Sequence, residues 1–359
     1  MKILFELGHP AHVHVLKHTI WNLQKSGYET KIVARAREIT PKLLEAYGFA
    51  YERLEKYNGL TNKTFGLFIN NYKLFKIAKK FKPGIFVSVG SPHSAQVSTI
   101  LRKAHISFGD TDVKKYTLYH LISSLTCPFS DVLCTPSCLI SKINPKKHVK
   151  YEGYHELAYL HPNHFKPDPH TLDQLNLSNK DKFIIMRFAA WDAVHDIAHR
   201  GFKNNQERIE FVERLQTKCK IFVTSEVNIP ELDKYKIPLA PEKIHHLLSF
   251  ATMYIGEGAT MASEAGVLGV PWIFVSSWGR GYLDDQEKNY GLGYTVSDSK
   301  EALRIALSLT ENENLKNEWS EKRKKMLRDK IDVAKFMTEF IRRYPKSFHE
   351  YKNRKFKYS

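Results

Sequence analysis

The sequence predicts an α/β protein of two doubly wound domains with a helical C-terminus. Short apolar runs alternate with segments of helical periodicity, and strands joined by helices pair in parallel and are covered on both faces. The alternation stops near the middle of the chain and then restarts, and a length of 359 residues suits about two domains. Hydrophobic residues make up 42% of the chain, which is enough for a core in each half and excludes a disordered or fibrous protein.

The first domain is predicted to comprise residues 1–165 and to be Rossmann-like. Its strands are expected where short apolar runs occur, and its helices where apolar residues recur every three or four positions. The expected strands are residues 3–7, 30–34, 85–89, 106–108 and 132–134, and the expected helices are residues 13–23, 67–81 and 94–103.

A segment rich in Pro, His, Asn and Asp interrupts this rhythm at residues 151–177 and is predicted to link the domains, because Pro162, Pro167 and Pro169 stop regular elements. A second Rossmann-like domain is predicted at residues 166–335. Residues 301–343 are helical in pattern, and residues 336–359 are predicted to be a basic helix or tail that returns to the first domain. The expected strands of the second domain are residues 183–186, 221–224, 253–255 and 272–275, and its expected helices are residues 206–217, 243–250 and 260–268.

The chain carries 55 Lys and Arg against 38 Asp and Glu, a formal net charge of +17 that favours anionic partners. Charge alone leaves open nucleic acid, an anionic membrane, a phosphorylated substrate and a merely solvated basic surface. No nucleic-acid reading motif is recognisable, and basic and aromatic residues interleave only in the tail, so we expect no nucleic-acid partner. Glu6 and His9 interrupt the N-terminal apolar run, and no run approaches the length of a membrane span, which predicts a cytoplasmic protein.

A glycine-rich turn between a strand and a helix is the most specific motif, and it reads GEGATMASE over residues 256–264. Gly256 and Gly258 allow the backbone to approach an anion. The free N–H groups at the helix start, at Ala259 and Thr260, attract that anion, which predicts a diphosphate site. Glu264, one turn into the helix, is placed to accept hydrogen bonds from a ribose diol. The alternative is a simple glycine turn with Glu264 in solvent.

The same stretch, extended to GEGATMASEAGVLGVP, resembles the nucleotide-binding motif of GT-B-fold nucleotide-sugar enzymes. These include the lipid-II-forming N-acetylglucosaminyltransferase of peptidoglycan synthesis and the UDP-N-acetylglucosamine 2-epimerases. The resemblance implies a GT-B-like fold whose two domains face a cleft. It implies that Gly258, Ala259 and Thr260 hold the diphosphate of a UDP-sugar and that the following glutamate, Glu264, binds the ribose. Taken whole, the chain most resembles the family called domain of unknown function 354.

Two further stretches resemble the peptidoglycan transferase. The sequence DQEKN at residues 285–289 is similar to its D-Q-x-x-N element, which implies that Gln286, with Asp285 beside it, contacts the donor sugar. The alternative is an ordinary polar helix start. The sequence AHV at residues 11–13 aligns with its G-G-H turn, which implies that His12 lies near the reacting sugar. The turn GHPAH lacks the family's run of glycines, so an acceptor pyrophosphate would be held differently.

The resemblance and the position of His12 make it the expected base that deprotonates the attacking hydroxyl. His14 and Asp110 are the next candidates. Asp110 follows the predicted strand at residues 106–108 and would face the same cleft.

Several other residues are candidate donor contacts because they follow strands of the second domain. Arg187 is predicted to neutralise a diphosphate by a bidentate contact, and the alternative is a salt bridge within the fold. Ser225 is a candidate for ribose or phosphate, and the resemblance makes Ile244 a candidate for the uracil base. His195 and His199 imitate part of a zinc-protease motif, but no third ligand follows at the expected spacing, so we expect no metal site.

The predicted function is therefore a metal-independent glycosyltransferase that moves a sugar from a UDP-activated donor to a glycan or lipid-linked acceptor. A UDP-sugar 2-epimerase or hydrolase on the same fold is the alternative. No cofactor is expected beyond the UDP-sugar itself. The basic, aromatic tail at residues 342–351 is the expected contact with an anionic inner membrane leaflet, and the alternative is a helix packed on the first domain.

Overall fold

A computed structural model describes residues 1–35, 39–55, 57, 60–109, 123–140, 143–189 and 201–356, apart from the side chains of residues 60–64. The chain forms two compact units. Unit 1 comprises Met1–His164 together with Ile331–Ser359, and unit 2 comprises Phe165–Lys330.

Twelve strands are found in the described part of the chain. In chain order they are β1 Lys2–Leu7, β2 Glu29–Arg35, β3 Tyr51–Leu54, β4 Ile85–Val89, β5 Ala104–Phe108, β6 Val132–Pro136, β7 His148–Tyr151, β8 Phe183–Phe188, β9 Lys220–Ser225, β10 Met253–Gly256, β11 Trp272–Val275 and β12 Gly293–Val296.

The described α-helices include those that connect the strands and those of the C-terminal region. They are α1 Pro10–Lys25, α2 Thr40–Ala46, α3 Leu60–Phe81, α4 Pro92–Ile100, α5 Leu157–Leu160, α6 His170–Asp173, α7 Asn205–Gln216, α8 Ile244–Phe250, α9 Ala259–Leu268, α10 Gly281–Tyr290, α11 Ser299–Glu311, α12 Leu315–Asp329, α13 Val333–Arg342 and α14 Lys346–Lys352. Short 3₁₀ helices occur at Cys127–Phe129, Pro230–Tyr235 and Pro241–Lys243.

Unit 1 contains a seven-stranded sheet in the order β3-β2-β1-β4-β5-β6-β7, and every pairing in it is parallel. All five residues of β4 and of β6 are buried, as expected for strands covered on both faces. Leu4, Val33 and Phe86, from the neighbouring strands β1, β2 and β4, pack in one apolar cluster with residues of α3 and α4. The prediction of a doubly wound parallel sheet is confirmed.

Unit 2 contains a five-stranded parallel sheet in the order β12-β11-β10-β8-β9. All four residues of β10 and of β11 are buried. Trp272 in β11 and Trp319 in α12 are among the largest fully buried side chains. This unit is the second doubly wound domain that the sequence predicts.

Each sheet has one point where the strand order reverses direction. In unit 1 it lies between β1 and β4, where Glu6 stands opposite Ser88. In unit 2 it lies between β8 and β10, where Arg187 stands opposite Gly256. Open α/β sheets bind ligands outside the carboxyl ends of the strands at such points. The fold therefore indicates one candidate ligand-binding edge of the sheet in each unit.

The C-terminal region is helical, as predicted, and it divides between the units. Helices α11 and α12 belong to unit 2, whereas α13 and α14 belong to unit 1. The predicted boundary at residue 335 is too late in the chain, because α13 packs against α1 and α5 of unit 1 through buried residues such as Phe336 and Phe340. The first division, between His164 and Phe165, lies inside the segment predicted as a linker.

Some elements were not predicted because their patterns are weak. Strand β3 has two exposed residues among four, and α10 carries four charged residues among ten, so neither shows the expected apolar run. Helices α5 and α6 lie within the predicted linker, and strand β7 ends at its first residue. No helix in the described residues is long and apolar enough to cross a membrane.

Candidate functional site

The glycine-rich turn of unit 2 connects β10 to α9 and lies beside Arg187. A Cβ atom added to Gly256 would lie 2.2 Å from the carbonyl oxygen of Arg187, and one added to Gly258 would lie 2.7 Å from the Cδ of the same arginine. Both contacts are far below van der Waals distance. Packing inside unit 2 therefore requires both glycines, independently of any ligand.

The start of α9 is available to an anion. Gly258 is the N-cap residue, and no side chain caps the helix. Ala259 is half-buried and Thr260 is exposed. Uncapped N–H groups and the helix dipole attract negative charge. This helix start lies next to β8, at the reversal point of the sheet, which is the position predicted for a diphosphate.

Arg187 is the only basic residue of β8 and lies in its penultimate position. Its side chain is 31% exposed and forms an ion pair with Glu226. One terminal guanidinium nitrogen also lies 3.5 Å from the Oγ1 of Thr224. The predicted alternative, a salt bridge within the fold, is therefore present, and it holds the guanidinium at the edge where the glycine turn lies.

Tyr254 stabilises the glycine turn by a hydrogen bond. Its hydroxyl donates a 2.9 Å hydrogen bond to the carbonyl oxygen of Gly258. Burial raises the pKa of this phenol well above its ordinary value, with Arg187 acting weakly in the opposite direction. The hydroxyl therefore stays protonated and remains a donor to the turn.

Glu264, the predicted ribose ligand, is buried and has a histidine partner. Only 6% of the residue is exposed, and its Oε1 lies 2.9 Å from the Nε2 of His245. His245 is itself buried, in the first turn of α8. The carboxylate is thus held in place by α8, and the alternative of a helical glutamate in solvent is excluded.

Glu257, between the two glycines, was not predicted as functional, but its carboxylate accepts hydrogen bonds from several segments of unit 2. One oxygen accepts a 2.8 Å bond from the guanidinium of Arg208 and a 3.2 Å bond from the N–H of Ala189. The other accepts a 3.3 Å bond from the N–H of Phe202. The carboxylate thereby joins the residues on either side of segment 190–200 to the glycine turn. In the sequence, a charged residue directly after a buried strand was the signal that could have identified Glu257.

Ser225 and Ile244 are placed less favourably than Arg187. The Ser225 hydroxyl donates to the carbonyl oxygen of Val227 at 2.7 Å and accepts from the N–H of Val227 at 3.1 Å, so it forms a local turn. Ile244 is the half-exposed first residue of α8. The Ser225 hydroxyl can still accept one hydrogen bond, for example from a ribose hydroxyl, whereas donating to a phosphate would break this turn. Both contacts stay predictions.

The predicted role of Gln286 as a donor-sugar contact is corrected by the structure. The side chain is fully buried in α10 and joins three elements. Its Nε2 donates to the Oγ of Ser263 at 2.7 Å, and its Oε1 accepts from the Nε1 of Trp272 at 3.1 Å. Asp285 is likewise used inside unit 2, where it lies 2.9 Å from the Nζ of Lys330. These residues stabilise packing, because neither amide atom of Gln286 points to solvent.

His12 lies in the first turn of α1, at the reversal point of unit 1, and is half-exposed. Its Nδ1 accepts a 3.2 Å hydrogen bond from the N–H of Gly8. A neutral imidazole that accepts at Nδ1 carries its proton on Nε2. In this arrangement His12 offers an N–H donor at Nε2, which is the opposite of what the predicted base requires.

His14 and Asp110 are the other candidate bases, and only His14 lies in the described part of the chain. His14 is buried, with Nδ1 3.2 Å from the hydroxyl of Tyr47 and its ring stacked on Tyr159, so its ring is held inside unit 1 and its catalytic role stays a prediction. Asp110 lies outside the described residues. His195 and His199 also lie outside the described residues, so the expectation that they form no metal site stays a prediction.

A buried acid at the same edge of unit 1 was missed. Glu6 is fully buried at the end of β1, and its Oε2 accepts a 3.4 Å bond from the hydroxyl of Ser94. Its Oε1 lies 3.9 Å from the Nε of Arg35, whose guanidinium lies directly over Gly8. His93 is close to both charges, and burial lowers its pKa. The single acidic residue in an apolar strand was the signal for this cluster.

Comparisons with known proteins agree with this architecture. The S. aureus MnaA–UDP co-structure superimposes with a TM-score of 0.70 at 15% identity, covering 99% of this chain and 97% of that chain. SsfS6, a Streptomyces sp. SF2575 glycosyltransferase, superimposes with a TM-score of 0.58 at 10% identity, covering 96% and 100%. The fold is therefore of the GT-B type, as predicted.

The sequence relatives carry no assigned activity. The uncharacterized protein MJ0665 of Methanocaldococcus jannaschii is 22% identical over 289 residues, which cover 76% of this chain and 81% of the relative. The sequence model of the family described as "Protein of unknown function (DUF354)" matches residues 1–346. The chain belongs to this DUF354 family.

Proposed function

We propose that this protein is a nucleotide-sugar enzyme whose unit 2 binds a UDP-activated sugar, and that it transfers the sugar to an acceptor bound by unit 1. The observation that carries the proposal is the uncapped start of α9 beside Arg187 at the reversal point of the sheet. The similar structures include complexes with UDP or UDP-GlcNAc, which supports uridine as the nucleoside.

The diphosphate would lie against α9, with Arg187 alongside it. The guanidinium exchanges its ion pair with Glu226 for a bidentate contact to the phosphates. As the bond to the sugar breaks, negative charge grows on the diphosphate, and the helix start and Arg187 supply the compensating positive charge. We therefore expect turnover without a divalent metal, and activity retained in a chelator supports this part of the proposal.

The ribose would be bound by Glu264. A carboxylate accepts hydrogen bonds from both hydroxyls of a diol, and the contact with His245 fixes its rotamer before the ligand arrives. Transfer also requires a group that removes the proton of the acceptor hydroxyl. We assign His12 as a hydrogen-bond donor through Nε2, because its Nδ1 is held by Gly8. Asp110 is retained as the candidate base.

A UDP-sugar 2-epimerase or hydrolase is the second candidate, because proteins named as UDP-GlcNAc 2-epimerases share the fold. UDP-GlcNAc 2-epimerases from Neisseria meningitidis and M. jannaschii superimpose with TM-scores of 0.63 and 0.65, against 0.58 and 0.60 for the glycosyltransferases SsfS6 and SpnP. At 10–16% identity these values describe the fold, so the reaction has to be measured.

Incubation of the protein with UDP-GlcNAc in D₂O, with and without a glycan acceptor mixture, distinguishes the reactions. Epimerisation at C2 breaks the C2–H bond and incorporates solvent deuterium without any acceptor. Hydrolysis releases UDP and free sugar without an acceptor, whereas a transferase releases UDP only when the acceptor is present. Deuterium at C2 would overturn the transferase assignment. Absence of UDP binding by calorimetry would overturn the proposed donor site altogether.

A further inference from the structure

Helix α3 of unit 1 presents aromatic side chains to solvent where polar ones are expected. Its exposed stripe runs through Phe65, Phe68, Tyr72, Lys76 and Lys79, at the spacing of one helical face. The three aromatic residues are 67%, 67% and 59% exposed, respectively. The opposite face, which packs on the sheet and on α4, consists of Gly66, Asn70, Leu74, Ala78 and Phe81. The stripe is therefore not the core-facing side of the helix.

The sequence of α3 and the segments that follow it is strongly basic, and one acid in the structure, Glu55, lies 3.9 Å from Lys73. No Asp or Glu occurs in the sequence between Glu55 and Asp110, whereas residues 73–82 alone contain five lysines. Lys76 lies 4.6 Å from the centre of the Tyr72 ring, so the aromatic and basic halves of the stripe are contiguous. An exposed apolar patch bordered by one sign of charge marks an interaction surface for an oppositely charged partner.

We propose that this face of α3, defined by Phe65, Phe68, Tyr72, Lys76 and Lys79, docks the protein on an anionic lipid bilayer. Aromatic side chains insert at the headgroup level, and lysines contact anionic phosphates beside them. The aromatic residues occupy the first half of the stripe and the lysines the second half. This segregation fits insertion at one end of the helix better than the interleaved pattern that stacks nucleic-acid bases.

A second copy of the chain fits this face less well. A two-fold contact brings the same patch of both copies together. The facing helices would then contribute lysines and no carboxylate, because α3 contains no acidic residue. An anionic bilayer neutralises the same lysines.

The aromatic end of α3 lies at the functional edge of unit 1. The helix leaves the carboxyl end of β3 and enters the amino end of β4, so Phe65 and Phe68 are near the carboxyl ends of the parallel strands. The turn that carries His12 lies at the same edge. An acceptor anchored in the docked membrane would meet unit 1 at this edge. Docking itself does not depend on which reaction the protein catalyses.

The C-terminal tail, which the sequence favours for membrane contact, packs against other residues of unit 1. The Tyr351 hydroxyl bonds to both the N–H and the carbonyl oxygen of Lys150, at 2.8 and 3.0 Å. Lys352 donates to the carbonyl oxygens of Pro145 and His148, both at 2.6 Å. The predicted alternative, a helix packed on the first domain, is the arrangement that the structure shows. Because this packing and a membrane contact can coexist, the contact of the tail stays a prediction, and the variants below compare it with α3.

Vesicle co-sedimentation tests this surface directly. The full chain should pellet with vesicles of phosphatidylcholine and phosphatidylglycerol, remain in solution with phosphatidylcholine alone, and be released at about 1 M salt, where the Debye length falls to about 3 Å. The double variant Lys76→Gln/Lys79→Gln should lower the partition coefficient about fivefold for each lysine removed. The variant Phe65→Ser/Phe68→Ser should also weaken binding to the anionic vesicles at low salt, because it removes the aromatic side chains that would insert at the headgroup level.

Two matched variants keep the test specific. Lys300→Gln/Lys316→Gln removes the same charge from exposed positions of unit 2 and should bind vesicles as the unchanged protein does. Arg342→Gln/Lys346→Gln removes two exposed basic residues from the predicted tail contact at residues 342–351. Circular dichroism and UDP affinity verify folding of every variant.

Three outcomes overturn the proposal. One is an unchanged protein that binds no anionic vesicle, and another is loss of binding in the tail variant but not in the α3 variants. The third is light scattering that shows a dimer which Phe65→Ser/Phe68→Ser converts to a monomer, since a second copy would then occupy the face. Retained vesicle binding in the absence of UDP binding separates this inference from the proposed function.

Discussion

The carboxylate of Glu264 lies 2.9 Å from the Nε2 of His245, and both side chains are buried within unit 2. The histidine comes from α8 and the glutamate from α9, so the contact connects two helices at the candidate nucleotide edge. A fixed carboxylate loses little rotational freedom on binding a diol. The pair therefore yields a test of nucleotide recognition.

Replacing Glu264 with alanine should weaken UDP binding about ten- to a hundredfold, because charge-assisted hydrogen bonds contribute roughly 1.5–3 kcal/mol. His245→Asn should weaken UDP less, since the ligand carboxylate remains. Isothermal titration calorimetry measures both, with the exposed Glu313→Ala as the acid-removal control. A folded Glu264→Ala protein with unchanged UDP affinity contradicts the ribose assignment.

Arg187 and Glu226 should have opposite effects on the donor site. Arg187→Ala removes the cation expected at the diphosphate and should lower UDP affinity more than uridine affinity. Glu226→Gln releases the guanidinium from its ion pair and should raise UDP affinity, because the phosphates no longer compete with a carboxylate. Titrations at low and high salt measure both effects. A Glu226→Gln protein that binds UDP more weakly would show that the pair itself positions the ligand.

Loss of the buried pair between Glu257 and Arg208 should destabilise unit 2. Glu257→Gln leaves the Arg208 guanidinium charged and nearly inaccessible, and breaking a buried ion pair costs about 3–5 kcal/mol. Urea denaturation measures the change in the free energy of unfolding. Exposed Glu301→Gln, which breaks a surface pair with Arg304, should change it by less than about 1 kcal/mol. Equal effects of the two substitutions would contradict the role of Glu257.

The two possible roles of His12 predict different results for glutamine. The glutamine amide can donate a hydrogen bond near the position of Nε2 but cannot act as a base. If His12 is a donor, His12→Gln should retain much of the turnover, while His12→Ala loses about a hundredfold or more. An equal loss of turnover in both variants would instead support His12 as the base. UDP affinity should be nearly unchanged in each, because the donor site belongs to unit 2.

Stability should fall as the pH drops from about 6.5 toward 4, because burial lowers the pKa of His105 from 6.5 to about 3. The ring lies between the hydroxyls of Ser88 and Ser130, at 2.9 and 3.0 Å. In this range the unfolded chain binds a proton at His105 and the native chain does not, so the unfolded state gains stability as pH falls. Each group with such a shift contributes up to about 1.4 kcal/mol per pH unit.

His105→Gln should reduce the slope of unfolding free energy against pH between about 4 and 6.5, whatever its effect on stability at neutral pH. Denaturant titrations at several pH values measure this slope. His18, with its pKa lowered to about 3, should leave part of the slope in place. An unchanged slope in the variant would show that His105 titrates normally in the folded protein.

The sequence by itself determined the class of fold and the location of the nucleotide motif. Apolar runs and helical periodicity respond to local spacing, so the buried strands β4, β10 and β11 were predicted nearly at their observed bounds. The glycine turn before α9 was evident because a strand, two glycines and a helix follow one another within a few residues. Short polar elements such as β3 and α10 lack these signals, since neighbours elsewhere in the chain stabilise them.

Only the tertiary structure decided which side chains at these edges are available for chemistry. Gln286 has the residue type of a sugar contact, but Trp272 and Ser263 surround it, and these lie far from it in sequence. Glu257 and Glu6 resemble ordinary charged residues until burial and long-range partners are known. Hydrogen bonds and burial depend on contacts between residues that are distant in the sequence. The local pattern of a single sequence does not show which distant residues are in contact.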